Sequence, residues 1–323
     1  MSKSTDRSGI RRAADVVLER FGVAENDRFL VVYNPGFELL ATTLGAAAHA
    51  RTENVCAFVY QPTSRDGEEP PQAVAAAMLE ASAIAILSRF SLSHTGARVR
   101  ASDRGARIAS MPEITPEVFA RAIPADYAHL ERVGRLLADE LTAADSCRVT
   151  APGGTEIELS LRGRRGISDD GDLRAPAAFN NLPAGEAFIA PIETQGTGSI
   201  VFDGSLASWG LLAEPLTVEL EQGRASTIKG GAAAEWLMRT LERGGPHGRT
   251  IAELGIGTNP AAMITGSILE DEKVQGTIHI AFGTNTGMGG VNQASVHLDA
   301  LVRNPSVSLD GRTVIRNGKL LVT

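Results

Sequence analysis

Phe29-Leu-Val-Val-Tyr33, closed by Asn34-Pro-Gly36, is an unbroken apolar run of strand length. Val55-Cys-Ala-Phe-Val-Tyr60 and Ala83-Ile-Ala-Ile-Leu87 repeat it, with helical patterns at 10–22, Glu38 to Ala50 and Ala73 to Glu80 around them. Strands that are apolar at every position are covered on both faces, and helices between them imply parallel crossovers. The first half therefore reads as an open parallel α/β domain. Its first strand is not followed by a GxGxxG, so a dinucleotide fold is not supported. Tyr127 to Thr142 is one amphipathic helix, with leucines at 130, 136, 137 and 141, that closes a domain over 1–145.

After residue 146 the texture changes to short alternating runs and glycine-rich turns. Arg148-Val-Thr-Ala-Pro-Gly-Gly-Thr-Glu-Ile-Glu-Leu-Ser160 turns at Pro152-Gly-Gly154, and Val307 to Ile315 turns at Asp310-Gly311. One helix interrupts, Ala232 to Glu242, and the polar segment 163–183 reads as a loop. The expected whole is α/β followed by α+β, with residues 146–323 as a strand-rich metal-binding domain.

Composition narrows the partners. Apolar residues make up 43% and charged residues 21%, enough to bury a core. Net charge is −7 with no basic block, which speaks against nucleic acid. No apolar run is long enough to cross a membrane, and Met1-Ser-Lys-Ser-Thr-Asp-Arg-Ser8 lacks a signal core, so the cytoplasm is expected. Cys56 and Cys147 are far apart and read as small buried hydrophobes.

Chemistry concentrates in the second half. In Ser295-Val-His-Leu-Asp-Ala-Leu301, His297 and Asp299 share one strand face, opposite Val296, Leu298 and Ala300. His279 lies in Gly276-Thr-Ile-His-Ile-Ala-Phe-Gly283, against an opposite face of Ile278, Ile280 and Phe282. Glu186 and Glu253 sit in similarly apolar or small-residue runs. Buried carboxylates need a partner or a metal. Three carboxylates and two imidazoles suit two divalent ions that activate a water. His94, in Phe90-Ser-Leu-Ser-His-Thr-Gly-Ala-Arg98, follows the third strand, where parallel sheets carry ligand sites. His94 and Glu253 are the candidate catalytic residues, and Arg98 is a candidate substrate contact.

At these residues the chain resembles the aminopeptidase T family of metallopeptidases. Pro183-Ala-Gly-Glu186, the Glu253 strand, Ile278-His-Ile-Ala-Phe-Gly283 and Val296-His-Leu-Asp299 look like that family's five metal ligands in order. The resemblance implies an N-terminal α/β domain, two divalent ions (zinc, cobalt or manganese), a homodimer and a peptide or other small substrate. Two features depart from it. The family's catalytic Tyr is Thr286 here, seven residues after His279, so the resemblance implies that Asn285 and Thr286 stand in its place as substrate contacts, and the segment between His279 and His297 is shorter. In that spacing, Gly289-Gly-Val-Asn-Gln-Ala-Ser-Val-His-Leu-Asp299 is similar to the 2,5-dihydroxypyridine dioxygenases, which share the fold, use one Fe(II) and carry a His matching His94. Those enzymes have a ligand His where this chain has Glu253, and apolar residues at Glu186 and His279. The ligand set favours an amide-cleaving dinuclear hydrolase. The alternative is a mononuclear Fe(II) ring-cleaving oxygenase using His279, His297 and Asp299.

Overall fold

The computed structural model describes residues 6–322. Residues 1–5, which include most of the polar N-terminal stretch read above, lie outside them. The chain divides into two units, Met1–Asp126 with Gly171–Ala184, and Tyr127–Asp170 with Gly185–Thr323.

The first unit carries a five-stranded parallel sheet in the order Val55–Val59, Phe29–Tyr33, Ala83–Leu87, Arg107–Ser110, Phe179–Asn181. The expected parallel α/β arrangement is present. Ala83–Leu87 is buried throughout, as its composition requires of an inner strand. Val55–Val59 is not. It is the edge strand, so Cys56 is exposed where the sequence suggested burial, while Cys147 is buried. Segment 163–183 is not a plain loop either. Its latter part returns to the first unit and adds Phe179–Asn181 as the fifth strand. A strand of three residues gives too little periodicity to be read from sequence.

The second unit is built on two antiparallel sheets. An eight-stranded sheet includes Ser146–Thr150, Glu156–Ser160 and Gly196–Phe202. Its Ser306–Leu309 and Arg312–Arg316 strands join through Asp310 and Gly311, both at positive φ, which is the geometry of a type I′ turn. A seven-stranded sheet runs, at its functional end, Leu206, His297–Val302, Ile278–Gly283, Ile251–Gly257, Glu186–Ile189, Ile167–Asp169. One apolar core joins the sheets. The seven-stranded sheet contributes Ile189, Leu254, Ile256, Ile280, Phe282 and Ala300, and the other Val149, Ile157, Ile200, Phe202, Val218 and Val307.

The helix Tyr127–Ala143 buries Val133, Leu137 and Leu141 in that same core. It therefore belongs to the second unit, and the boundary falls before it rather than at residue 145. Helix Gly231–Arg243 adds Leu237 and Leu241. No helix of the described residues is long and apolar enough to cross a membrane.

Candidate metal centre

The alternation read in the sequence sorts the seven-stranded sheet into two faces. Leu254, Ile256, Ile278, Ile280, Phe282, Leu298 and Ala300 turn into the core. Side chains of the opposite parity share the other face, and register sets their spacing. Asp169 lies opposite Glu186, and Glu186 opposite Gly257. Gly255 lies opposite His279, Glu253 opposite Ala281, Ala281 opposite Asp299, and Gly283 opposite His297. Small residues thus alternate with functional ones, which leaves room for the large side chains to converge.

They do converge. His279 Nε2 is 3.3 Å from Glu186 Oε2 and 3.3 Å from Glu253 Oε1. His297 Nε2 is 3.1 Å from Glu253 Oε2 and 3.6 Å from Asp299 Oδ2. All five ligand candidates of the sequence come together; the side chains of Glu186, Glu253 and His279 are more than nine-tenths buried, and those of Asp299 and His297 are slightly more open. Donor atoms of Glu253, His279 and Asp299 lie within 4.8 Å of one another, as do those of Glu186, Glu272 and His279.

Three members of the cluster were not foreseen. Lys273 is fully buried, its Nζ 2.5 Å from Glu186 Oε1, 2.8 Å from Glu272 Oε1 and 3.2 Å from Asp169 Oδ2. Glu270-Asp-Glu-Lys273 reads as a solvated charge run, yet Glu270, Asp271 and Lys273 are all buried. The only hint in the sequence is that this run directly precedes the His279 strand.

The electrostatics follow from burial and neighbours. Burial pushes Glu272 up to about 8 and Asp169 up to about 7, although Lys273 pulls both down. Burial opposes the Lys273 charge, but Glu186, Glu272 and Asp169 hold its pKa well above the ordinary value. Burial also works against a charged Glu253, but hydrogen bonds from His279 and His297 keep it below the usual carboxylate range.

These residues fit a divalent ion. His297 Nδ1 is 2.8 Å from the Thr284 carbonyl, which can only accept, so Nδ1 carries the proton. Nε2 then points its lone pair at the oxygens of Glu253 and Asp299, and only a second proton or a cation can lie between them. Asp299 Oδ1 and His279 Nδ1 are buried without a hydrogen-bond partner among the described residues. Metal-binding imidazoles are ordinarily oriented in this way by a carbonyl behind the ring.

The Thr284 carbonyl is itself held by a braced loop. Asn285 donates from Nδ2 to Glu193 and accepts from the Asn292 N–H, so both ends of its amide serve the loop. Glu193 also accepts from Val291 N–H and from Arg164. Thr286 is exposed, in the short 3₁₀ turn Thr286–Met288. His94 and Arg98 belong to the first unit. His94 is exposed in the loop before helix Gly96–Asp103, and Arg98 donates to the Ser93 carbonyl and lies over the Phe179 ring at 4.6 Å.

The fold recurs in solved structures. AmpT from Thermus thermophilus is 19% identical, with a TM-score of 0.71 over 98% of this chain and 99% of that one. 2,5-Dihydroxypyridine dioxygenase from Pseudomonas putida KT2440 is 21% identical, with a TM-score of 0.85 over 99% of both. In sequence, the 2,5-dihydroxypyridine 5,6-dioxygenase of Pseudomonas putida is 28% identical over 251 residues, 73% of this chain and 70% of the relative. The family model described as NicX, 2,5-dihydroxypyridine 5,6-dioxygenase, matches residues 32–322. These findings overturn the expectation of an amide-cleaving, aminopeptidase-like hydrolase. The AmpT likeness is one of fold. With nearly its whole length matched, the chain belongs to the 2,5-dihydroxypyridine 5,6-dioxygenase family of enzymes.

Proposed function

We propose that this protein is a ring-opening dioxygenase that binds iron(II) and acts on a hydroxylated pyridine or a closely related aromatic. The observation that carries this reading is the convergence, in a member of this family, of Glu253, His279 and Asp299 donors within 4.8 Å, with His297 beside them. Imidazole and carboxylate donors together suit an iron(II) that also takes outside ligands. When bound, the iron would supply the electron transfers that make dioxygen reactive toward the ring.

The chain's own residues do the rest. The Thr284 carbonyl fixes the His297 tautomer, so that Nε2 is available without a change of rotamer. Glu253 spans the two imidazoles with its two oxygens and keeps both rings turned toward one point. Asp299 adds a carboxylate whose Oδ1 has no competing donor among the described residues. Burial of the donors excludes bulk water, which strengthens each charge interaction and limits loss of the metal to solvent.

The test is anaerobic loading with Fe(II), followed by oxygen-electrode and absorbance assays with 2,5-dihydroxypyridine and related dihydroxylated rings. The expected result is one dioxygen consumed per ring lost, abolished by a chelator. Turnover that proceeds equally without oxygen, or iron-loaded protein that consumes none with any such ring, would rule the reading out.

A further inference from the structure

The two overlapping donor groups of the cluster are not equivalent. Glu186, Glu272 and His279 surround a place where a cation already stands, since Lys273 Nζ lies 2.5 Å from Glu186 and 2.8 Å from Glu272. Asp169 completes its shell at 3.2 Å. Glu253, His279 and Asp299 form the other group, and among the described residues neither carboxylate pairs with a Lys or Arg. We propose that the Lys273 ammonium is a fixed cation standing in the place of a second metal ion, so that the cluster accepts one ion only, in the half made by Glu253, His297 and Asp299 with His279. This rests on the metal-centre reading above and deepens it.

The backbone shows how the lysine is delivered there. Lys273 follows the short helix Ile268–Asp271 and is tied down by Asn259, whose N–H donates to the Lys273 carbonyl. A Cβ on Gly257 would collide with the backbone of Lys273 and Val274, so a bare Cα there lets the segment close onto the sheet. The strand Glu253-Leu-Gly-Ile-Gly257 thus offers, at successive positions of one face, a carboxylate, space for the His279 ring and space for the Lys273 backbone.

The physical consequence is exclusion. A divalent ion bound by Glu186 and Glu272 would have to share their oxygens with an ammonium about 3 Å away, and like charges at that distance in a buried site repel strongly. The lysine cannot swing aside into water, because it is fully buried and has three carboxylates around it. Glu186 then serves the lysine, and its place among the five ligand candidates reflects position in the fold rather than contact with an ion.

The experiment counts Mn(II) bound to metal-stripped full-length protein, by elemental analysis after gel filtration and by native mass spectrometry. Wild type is expected to hold one ion per chain at saturation, and Lys273→Met two, even if that variant is recovered folded only with Mn(II) present. Glu186→Gln is expected to keep one ion with affinity within about threefold of wild type, which decides the matter should Lys273→Met fail to fold. Two ions in wild type, one ion in folded Lys273→Met, or loss of the ion in Glu186→Gln would overturn the role of Lys273. A wild type that binds no ion would instead overturn the metal centre itself.

Discussion

Gly255 faces His279 directly across the antiparallel register, and a Cβ built on Gly255 would fall closer than 3.0 Å to three atoms of the imidazole ring. The ring can occupy the space over Gly255 only because nothing projects there. Gly255→Ala should therefore push His279 out of the cluster, at a cost of about 1–3 kcal/mol for overpacking a buried site. Metal affinity should fall with stability, and both can be read by thermal unfolding with and without added metal. An alanine variant with wild-type metal affinity would show that His279 is not needed where it now sits.

His297 is the candidate ligand that the structure prepares most completely, because Thr284 O assigns its proton and two carboxylates face its free nitrogen. His297→Ala should reduce metal affinity by at least about 100-fold, more than is typical for loss of a supporting residue. Metal content after dialysis against a weak chelator checks this. Full occupancy in that variant would remove His297 from the site.

Sequence and structure agree where one residue reports on its own surroundings. Alternation in the His297 and His279 strands put both rings and Asp299 on one face, and the sheet bears that out. Apolar continuity in Phe29–Tyr33 and Ala83–Leu87 gave the parallel sheet. What was not legible depends on partners distant along the chain. Lys273 finds carboxylate partners in the interior because Asp169 and Glu186 arrive from other strands. The helix Tyr127–Ala143 has the same amphipathic pattern whichever unit it serves, so its periodicity could not choose between them.

Glu193 offers a test of the loop behind His297. Burial works against its charge, but the Val291 N–H, the Asn285 amide and Arg164 together hold its carboxyl below the ordinary range. Glu193→Ala leaves Arg164 and the Asn285 amide without this partner inside the protein. Breaking such a largely buried pair costs about 3 kcal/mol. Loosening the Thr284 carbonyl should also lower metal affinity by about 10-fold, the size of effect seen when an orienting group is lost. If hydrogen exchange across residues 284–292 is unchanged in the variant, the bracing role is wrong.

Proton linkage gives the last prediction, with opposite signs for two measurements. Burial opposes charge on both imidazoles. Even so, the Glu253 hydrogen bond and the nearby carboxylates lift His279 to about 9, and Asp299 and Glu253 lift His297 to about 10. Without metal, both rings should therefore carry a second proton at neutral pH. An ion needs the neutral ring, so binding releases up to two protons, and affinity should climb with pH until it levels off above about 10. Stability of the metal-free protein runs the other way. A folded-state pKa raised above the ordinary 6.5 contributes stability that is complete below that pH and lost as pH rises through 9 to 10. The metal-free Tm should therefore decline from pH 6.5 to 10 while metal affinity grows. Calorimetric titration in two buffers of different ionisation enthalpy measures the released protons directly, and identical heats in both would mean that the rings are already neutral before the metal arrives.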